Sequence, residues 1–157
     1  MTPKDEIFMN RALQLAALGN LNAAPNPLVG AVVVNEGKII GEGYHRACGE
    51  AHAEVNAIQS VSNKSLLSES TMYVTLEPCS HFGKTPPCAD LIVQHNFKRV
   101  VICNLDPFEQ VAGNGIKKLL AAGIEVESGC LEKKGRHLNR RFFCFHEKKR
   151  PYIILKW

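Results

Sequence analysis

The segment TMYVTLEPCSHFGKTPPCADLIVQHNFKRVVICN, residues 71–104, decides the fold class. TMYVTLEP reads as a strand that stops at Pro78, because proline cannot donate to a β ladder. CADLIVQHN reads as a short helix opening at Cys88, and RVVICN as a buried, β-branched strand. Two strands joined through a helix pair in parallel, so the stretch is an α/β unit. Ligands of such sheets sit beyond the carboxyl ends of the strands, and TLEPC lies at such an end.

Upstream, LVGAVVVN and IIGEGYH flank the tight turn EGK and form a hairpin. GEAHAEVNAIQSV reads as a helix, with Val55, Ile58 and Val61 at helical spacing. The opening MTPKDEIFMNRALQLAALGN reads as an amphipathic helix that buries Ile7, Leu13 and the Leu15–Ala17 cluster. Downstream, GNGIKKLLAAG is a helix ended by glycine, IEVESG a last strand, and residues 131–146 are expected to be helical. The expected fold is α/β, with a mixed, largely parallel five-stranded sheet covered by helices on both faces. KKRPYIILKW then begins a new strand-like run with nothing after it to pair with. Residues 1–147 are therefore expected to form one domain, and 148–157 the linker or first strand of a second.

At 157 residues the chain suffices for one good core. A hydrophobic share of 45% and a charged share of 22% are ordinary for a soluble protein. No run approaches the roughly 18 apolar residues of a membrane span, so no membrane partner is expected. Acidic and polar residues interrupt the apolar positions of the N-terminus, which is no signal peptide, and a cytoplasmic location is expected. Structural disulfides are rare there, so the six cysteines read as metal ligands, reactive thiols or small buried residues. Charge is uneven: residues 1–130 carry 10 Lys+Arg against 13 Asp+Glu, a net of −3, and residues 131–157 carry 9 against 2, a net of +7. The basic end reads as a solvated helix face. The body lacks the pervasive basic surface of a duplex binder, so no nucleic-acid partner is expected.

Cys79 and Cys88 stand eight residues apart on a loop stiffened by proline. A disulfide, a metal site and plain packing are the alternatives, and HAE at residues 52–54 discriminates among them. One imidazole, His52, with two thiolates makes a three-ligand zinc set whose fourth position is open to water. A structural zinc closes its tetrahedron with protein ligands, whereas a catalytic one leaves a corner for water. Zinc lowers that water's pKa from 15.7 to about 7, giving zinc hydroxide as nucleophile, and the carboxylate of Glu54 can shuttle its proton. Residues at i and i+2 diverge inside a helix, so His52 and Glu54 converge only where a helix begins, as here after Gly49. Cys88 also begins a helix, where the positive dipole end favours a thiolate. The order matches the zinc-deaminase signature H-x-E…P-C-x-x-C, but with eight residues rather than two between the cysteines.

PNPLVGAVVV, GEGYH, GEAHAEVNA, YVTLEPCSHFGKTPPCADLI, DPFEQVAGNGIKKLLAAGIEV and LNRRFF together resemble the deaminase domain of the riboflavin-biosynthesis deaminase/reductase family, collinearly over about residues 5–156. The long cysteine loop belongs to that resemblance, and RPYIILKW resembles the first strand of the family's reductase domain. The resemblance implies a three-layer α/β/α sandwich of the cytidine-deaminase type. It implies hydrolytic deamination of a small phosphoribosyl-pyrimidine, 2,5-diamino-6-(5-phospho-ribosylamino)pyrimidin-4(3H)-one, with one zinc per chain. It also implies zinc on His52, Cys79 and Cys88, proton transfer by Glu54, and substrate contacts from Asn26, His45, His81 and Lys84. The backbone amide of Ala53 or Ser80 would hold the polar edge of the ring. NADPH is not expected to serve this chain, since the reductase domain is all but missing, and a homo-oligomer is expected from the symmetry common among such enzymes.

Two other readings compete. The same chemistry on tRNA adenosine or a cytosine nucleotide predicts C-x-x-C and a basic, aromatic-lined channel. A non-enzymatic zinc module predicts a closed site with a fourth ligand such as His81. The remaining cysteines, Cys48, Cys103, Cys130 and Cys144, read as small apolar residues.

Overall fold

The computed structural model describes residues 1–81, 86–108 and 112–156. The hairpin forms one edge of its sheet. Strands β1 (Gly30–Asn35) and β2 (Lys38–Tyr44) pair antiparallel across Glu36 and Gly37, whose φ angles of 47° and 75° are both positive. That turn follows the twist of the flanking strands and favours glycine. Strands β3 (Thr71–Leu76), β4 (Arg99–Asn104) and β5 (Glu125–Ser128) run parallel to one another. β1 lies antiparallel beside β3, which gives the order β2-β1-β3-β4-β5 and a mixed five-stranded sheet.

Alternation along the strands divides the core between two helical layers. Ala31, Val33, Met72, Val74, Val100 and Ile102 face α2 (Ala53–Ser60), α3 (Cys88–Gln94) and α4 (Asn114–Ala121), meeting Ala57, Ile58, Ala89, Ile92 and Leu119. Val32, Val34, Tyr73, Val101 and Cys103 face α1 (Pro3–Ala17), meeting Met9, Ala12 and Leu13. On this second side α5 (Glu132–Leu138) also packs against β4 and α1, and α6 (Arg140–Lys148) follows against α5. At Gly43 of β2 a side chain would collide with α2, its Cβ lying 2.3 Å from the amide nitrogen of Ala57. The missing side chain is what lets α2 lie against the strand and brings its first turn to the sheet's edge.

Two details differ from the pattern read in sequence. Ile7 is 65% exposed and Ala17 is also exposed, because α1 buries Asp5, Met9, Ala12, Leu13, Leu15 and Ala16. Those positions follow helical spacing, and Ile7 sits about 200° around the helix from Met9. The helix expected over 131–146 is broken at Asn139, whose φ and ψ of −98° and 26° separate α5 from α6. Residues 151–156 carry no regular secondary structure, with Ile153 and Leu155 exposed.

The buried Asp5 is explained by charge. Its carboxylate accepts from Thr2 N at 2.6 Å, Tyr73 Oη at 2.7 Å and Arg99 Nη1 at 2.8 Å, and Arg99 also pairs with Glu127. The Arg99 guanidinium holds the Asp5 carboxyl well below the usual aspartate range. Replacing Asp5 with alanine leaves the Tyr73 phenol without its partner and the mostly buried Arg99 guanidinium with only Glu125 and Glu127. We expect a loss of about 1–3 kcal/mol in urea unfolding at neutral pH. A depressed carboxyl stabilises the fold fully above its unfolded value of about 3.9 and loses that contribution as pH falls below it. The wild type should therefore weaken below about pH 4 and the variant less so. Equal acid sensitivity in both proteins would remove Asp5 as the cause.

Candidate metal centre and substrate pocket

The carboxyl end of β3 runs into Glu77, Pro78 and Cys79, and α3 docks directly on that turn. The amides of Cys88 and Ala89 donate to Cys79, to Sγ at 3.2 Å and to the carbonyl at 3.1 Å. His52 caps the start of α2 in extended conformation, with φ −70° and ψ 163°. Three chain segments therefore converge: His52 Nδ1 lies 3.6 Å from Cys79 Sγ and 3.3 Å from Cys88 Sγ, and the three donor atoms all fall within 4.8 Å of one another. A tetrahedral zinc, with bonds of about 2.3 Å to sulfur and about 2.0 Å to nitrogen, requires nitrogen–sulfur separations of about 3.5 Å. The spacing fits. No disulfide joins the two cysteines.

Electrostatics reinforce the geometry. The Cys79 thiol is pulled down to about 4, chiefly by a hydrogen bond from Cys88 and also by His52. The Cys88 thiol is pushed up by facing Cys79 and by burial. His52 is raised by its hydrogen bond with Cys79. Two sulfurs facing each other beside an imidazole form a set that a divalent cation would satisfy at once.

Glu54 lies in the first turn of α2, 3% exposed. Burial, and then the Cys79 thiolate, push its carboxyl up to about 7. It shares a cleft of about 330 Å³ with Asn26, His45, His52, Ala53, Cys79 and His81. The sequence-predicted residues thus line one cleft, except Cys88 and Ser80, which are not among its lining residues, and Lys84, which lies outside the described residues. Asn26 and His45 are joined: the Asn26 amide nitrogen lies 3.0 Å from His45 Nε2, and His45 Nδ1 lies 3.2 Å from the carbonyl of Ala51. Since the amide nitrogen donates, the network assigns the ring proton to Nδ1, which donates to Ala51. Cys103, Cys130 and Cys144 are buried as expected, but Cys48 is exposed. Cys48 lies on the loop after β2, where no core packs against it.

Two residues of this region are not singled out by the sequence motifs. Glu77 is 4% exposed, and its carboxylate accepts from the amides of Gly113 and Gly115, both at 3.0 Å, and of Asp106 at 3.4 Å. It answers the orphan amides where α4 begins, a need that the glycines of GNG foreshadow. The other is Asn139, described below. Aromatic side chains add one wall to the cleft: Phe142, whose ring centroid is 4.5 Å from that of His146, and Phe108, 5.8 Å from His146.

A donor triad of one nitrogen and two sulfurs, held on the turn after β3 and at the starts of α2 and α3, fits the class of zinc-binding deaminases. The family model for the cytidine and deoxycytidylate deaminase zinc-binding region matches residues 2–104. Within that class the chain belongs to the diaminohydroxyphosphoribosylaminopyrimidine deaminase family. It is 47% identical over 140 residues to the deaminase of that name from Buchnera aphidicola subsp. Schizaphis graminum, covering 89% of this chain and 94% of the relative. It is 50% identical over 153 residues to the riboflavin biosynthesis protein RibD of Aquifex aeolicus, covering 98% of this chain and 42% of the relative. The solved deaminase/reductase of Thermotoga maritima superposes with a TM-score of 0.89 at 48% identity, covering 95% of this chain and 43% of that one. The chain thus spans about two fifths of the length of the RibD proteins it matches. Among the described residues no helix is long and apolar enough to cross a membrane.

Proposed function

We propose that this chain hydrolyses the amine from 2,5-diamino-6-(5-phospho-ribosylamino)pyrimidin-4(3H)-one, giving the 5-aminopyrimidine-2,4-dione and ammonia in riboflavin biosynthesis. The observation that carries this reading is the convergence of His52, Cys79 and Cys88 beside a buried Glu54, in a chain 47% identical to a deaminase of that name over nearly its full length.

His52 Nδ1 and the sulfurs of Cys79 and Cys88 would hold zinc. When bound, zinc supplies a water whose pKa is lowered toward neutrality. Glu54 would take one proton from the attacking water and pass it to the ring nitrogen as the remaining hydroxyl adds to the amine-bearing carbon. It would then take the proton of that hydroxyl and pass it to the departing amine, so one water enters and one ammonia leaves. Burial suits Glu54 to this work by bringing its carboxyl close to neutral, where it both accepts and releases protons. Asn26, fixed by its bond to His45, would orient the substrate together with the amide of Ala53. His81 would meet the phosphoribosyl end, and Lys84, in the same loop of the sequence, would meet its phosphate.

The cleft suits a small molecule. Residues 1–147 would constitute the deaminase unit, and 148–157, starting at the last residue of α6, the linker or first strand of a second domain. The test offers zinc-loaded protein the diaminopyrimidine phosphate, dCMP and tRNA in parallel and measures ammonia. Release from the diaminopyrimidine phosphate is expected. Release confined to dCMP or tRNA would assign the chain to another substrate of the same class.

A further inference from the structure

We propose that Asn139, in the LNRRFF segment, is a positioning residue that sets the shape of the substrate cleft by tying together two of its walls. The proposal rests on the deaminase reading above and names a determinant of substrate binding within it.

Asn139 is 6% exposed and spends its whole side chain on the backbone of one residue 111 positions away. Its Oδ1 accepts from the amide of Leu28 at 2.8 Å, and its Nδ2 donates to the carbonyl of Leu28 at 2.8 Å. A side-chain amide used in this way imitates a neighbouring strand, and it does so just before β1 begins. Leu28 follows Asn26 and Pro27, which line the cleft. On the next residue, the Val29 carbonyl accepts from the amide of His45, the partner of Asn26, at 2.9 Å.

The other end of the tie is equally fixed. Asn139 stands between α5 and α6, its amide donating to Gly135 and its carbonyl accepting from Phe143, both at 3.0 Å. At Gly135 an added Cβ would lie 2.0 Å from Asn104 Oδ1 and 2.5 Å from Cys103 Sγ, so α5 is seated directly on β4. Just beyond the break, α6 carries Phe142 and His146, which line the same cleft as Asn26. One amide therefore relates the aromatic wall on α6 to the polar wall at Asn26 and His45. It touches neither zinc ligands nor Glu54.

Interactions that only position substrate raise KM when lost and leave kcat largely intact. Replacing Asn139 with alanine removes two hydrogen bonds and unties both walls. KM for the diaminopyrimidine phosphate is expected to rise about 10–100-fold, with zinc content at one per chain and kcat within about threefold. Asn139→Asp keeps the acceptor for Leu28 N but turns a second acceptor toward Leu28 O, so KM should rise here too; this variant carries the test if the alanine protein does not fold. Asp5→Ala is the control, since it weakens the fold at the opposite end of the sheet and should leave KM unchanged. If wild type releases no ammonia from this substrate, the functional reading fails. If wild type turns over and the folded Asn139 variants keep its KM, or lose kcat only in proportion to lost zinc-loaded protein, the positioning role fails alone.

Discussion

Glu54→Gln is expected to lower kcat by about 10²–10⁴-fold or more while the protein keeps one zinc and its thermal stability. Glutamine matches glutamate in volume and can hydrogen-bond in the same space, but it cannot carry a proton between water, ring nitrogen and amine. The side chain is 3% exposed, so loss of solvent contact contributes nothing to the difference. Burial opposes the charged form of this carboxyl, and a neutral amide removes that opposition. The fold should therefore not weaken. Zinc content by atomic absorption, melting temperature and single-turnover ammonia release on the same preparation separate chemistry from folding and metal loss. A variant retaining more than about a tenth of wild-type kcat would show that another group carries the proton.

The reasons why Glu54 was legible in the sequence, and other residues were not, are physical. His52, Glu54, Cys79 and Cys88 carry chemistry that few residue types share, and each stands where local rules place a turn or a helix start. Pro78 ends β3, and Pro87 precedes the first residue of α3, so the backbone path at both cysteines is set by adjacent residues. Asn26 between two prolines is similarly local. The hairpin followed from apolar runs around EGK, and the parallel half from strands separated by helices. What escaped was set by distant partners. Asn139 looks like a helix interior residue until Leu28 is brought beside it, and no local signal reports a bond spanning 111 residues. Glu77 reads as part of TLEPC, yet its use is fixed by amides at Asp106, Gly113 and Gly115. Ile7 was misplaced because α1 offers apolar residues on more than one side, and the choice among them is made by the sheet. Asp5 explains that choice: its bonds to Tyr73 and Arg99 rotate the helix so that a carboxylate faces inward.

Cys88→Ser is expected to release the zinc and abolish turnover, with a loss of metal affinity larger than the ~10–100-fold that follows removal of an outer partner. Cys88 is 1% exposed at the first position of α3, and its sulfur lies 3.3 Å from His52 Nδ1. An alcohol there ionises far less readily than a thiol, so one of the two sulfur donors is lost. α3 docks on Cys79 through the backbone amides of residues 88 and 89, which serine keeps, so the joint between β3 and α3 should survive the loss of zinc. Ammonia release should vanish together with bound zinc. Cys103→Ser provides the contrast: its sulfur contacts Asn104 and the Leu131 carbonyl, on the side of β4 away from the cluster, and that variant should keep its zinc. Stoichiometric zinc in Cys88→Ser, or mass spectrometry showing Cys79 and Cys88 oxidised to one another in active wild-type protein, would remove the metal role assigned to the pair. Removing the thiol and removing the carboxyl should thus give two distinct inactive proteins. The Cys88 variant lacks metal, while the Glu54 variant retains it, and only a site in which binding and proton transfer are divided between those residues produces that difference.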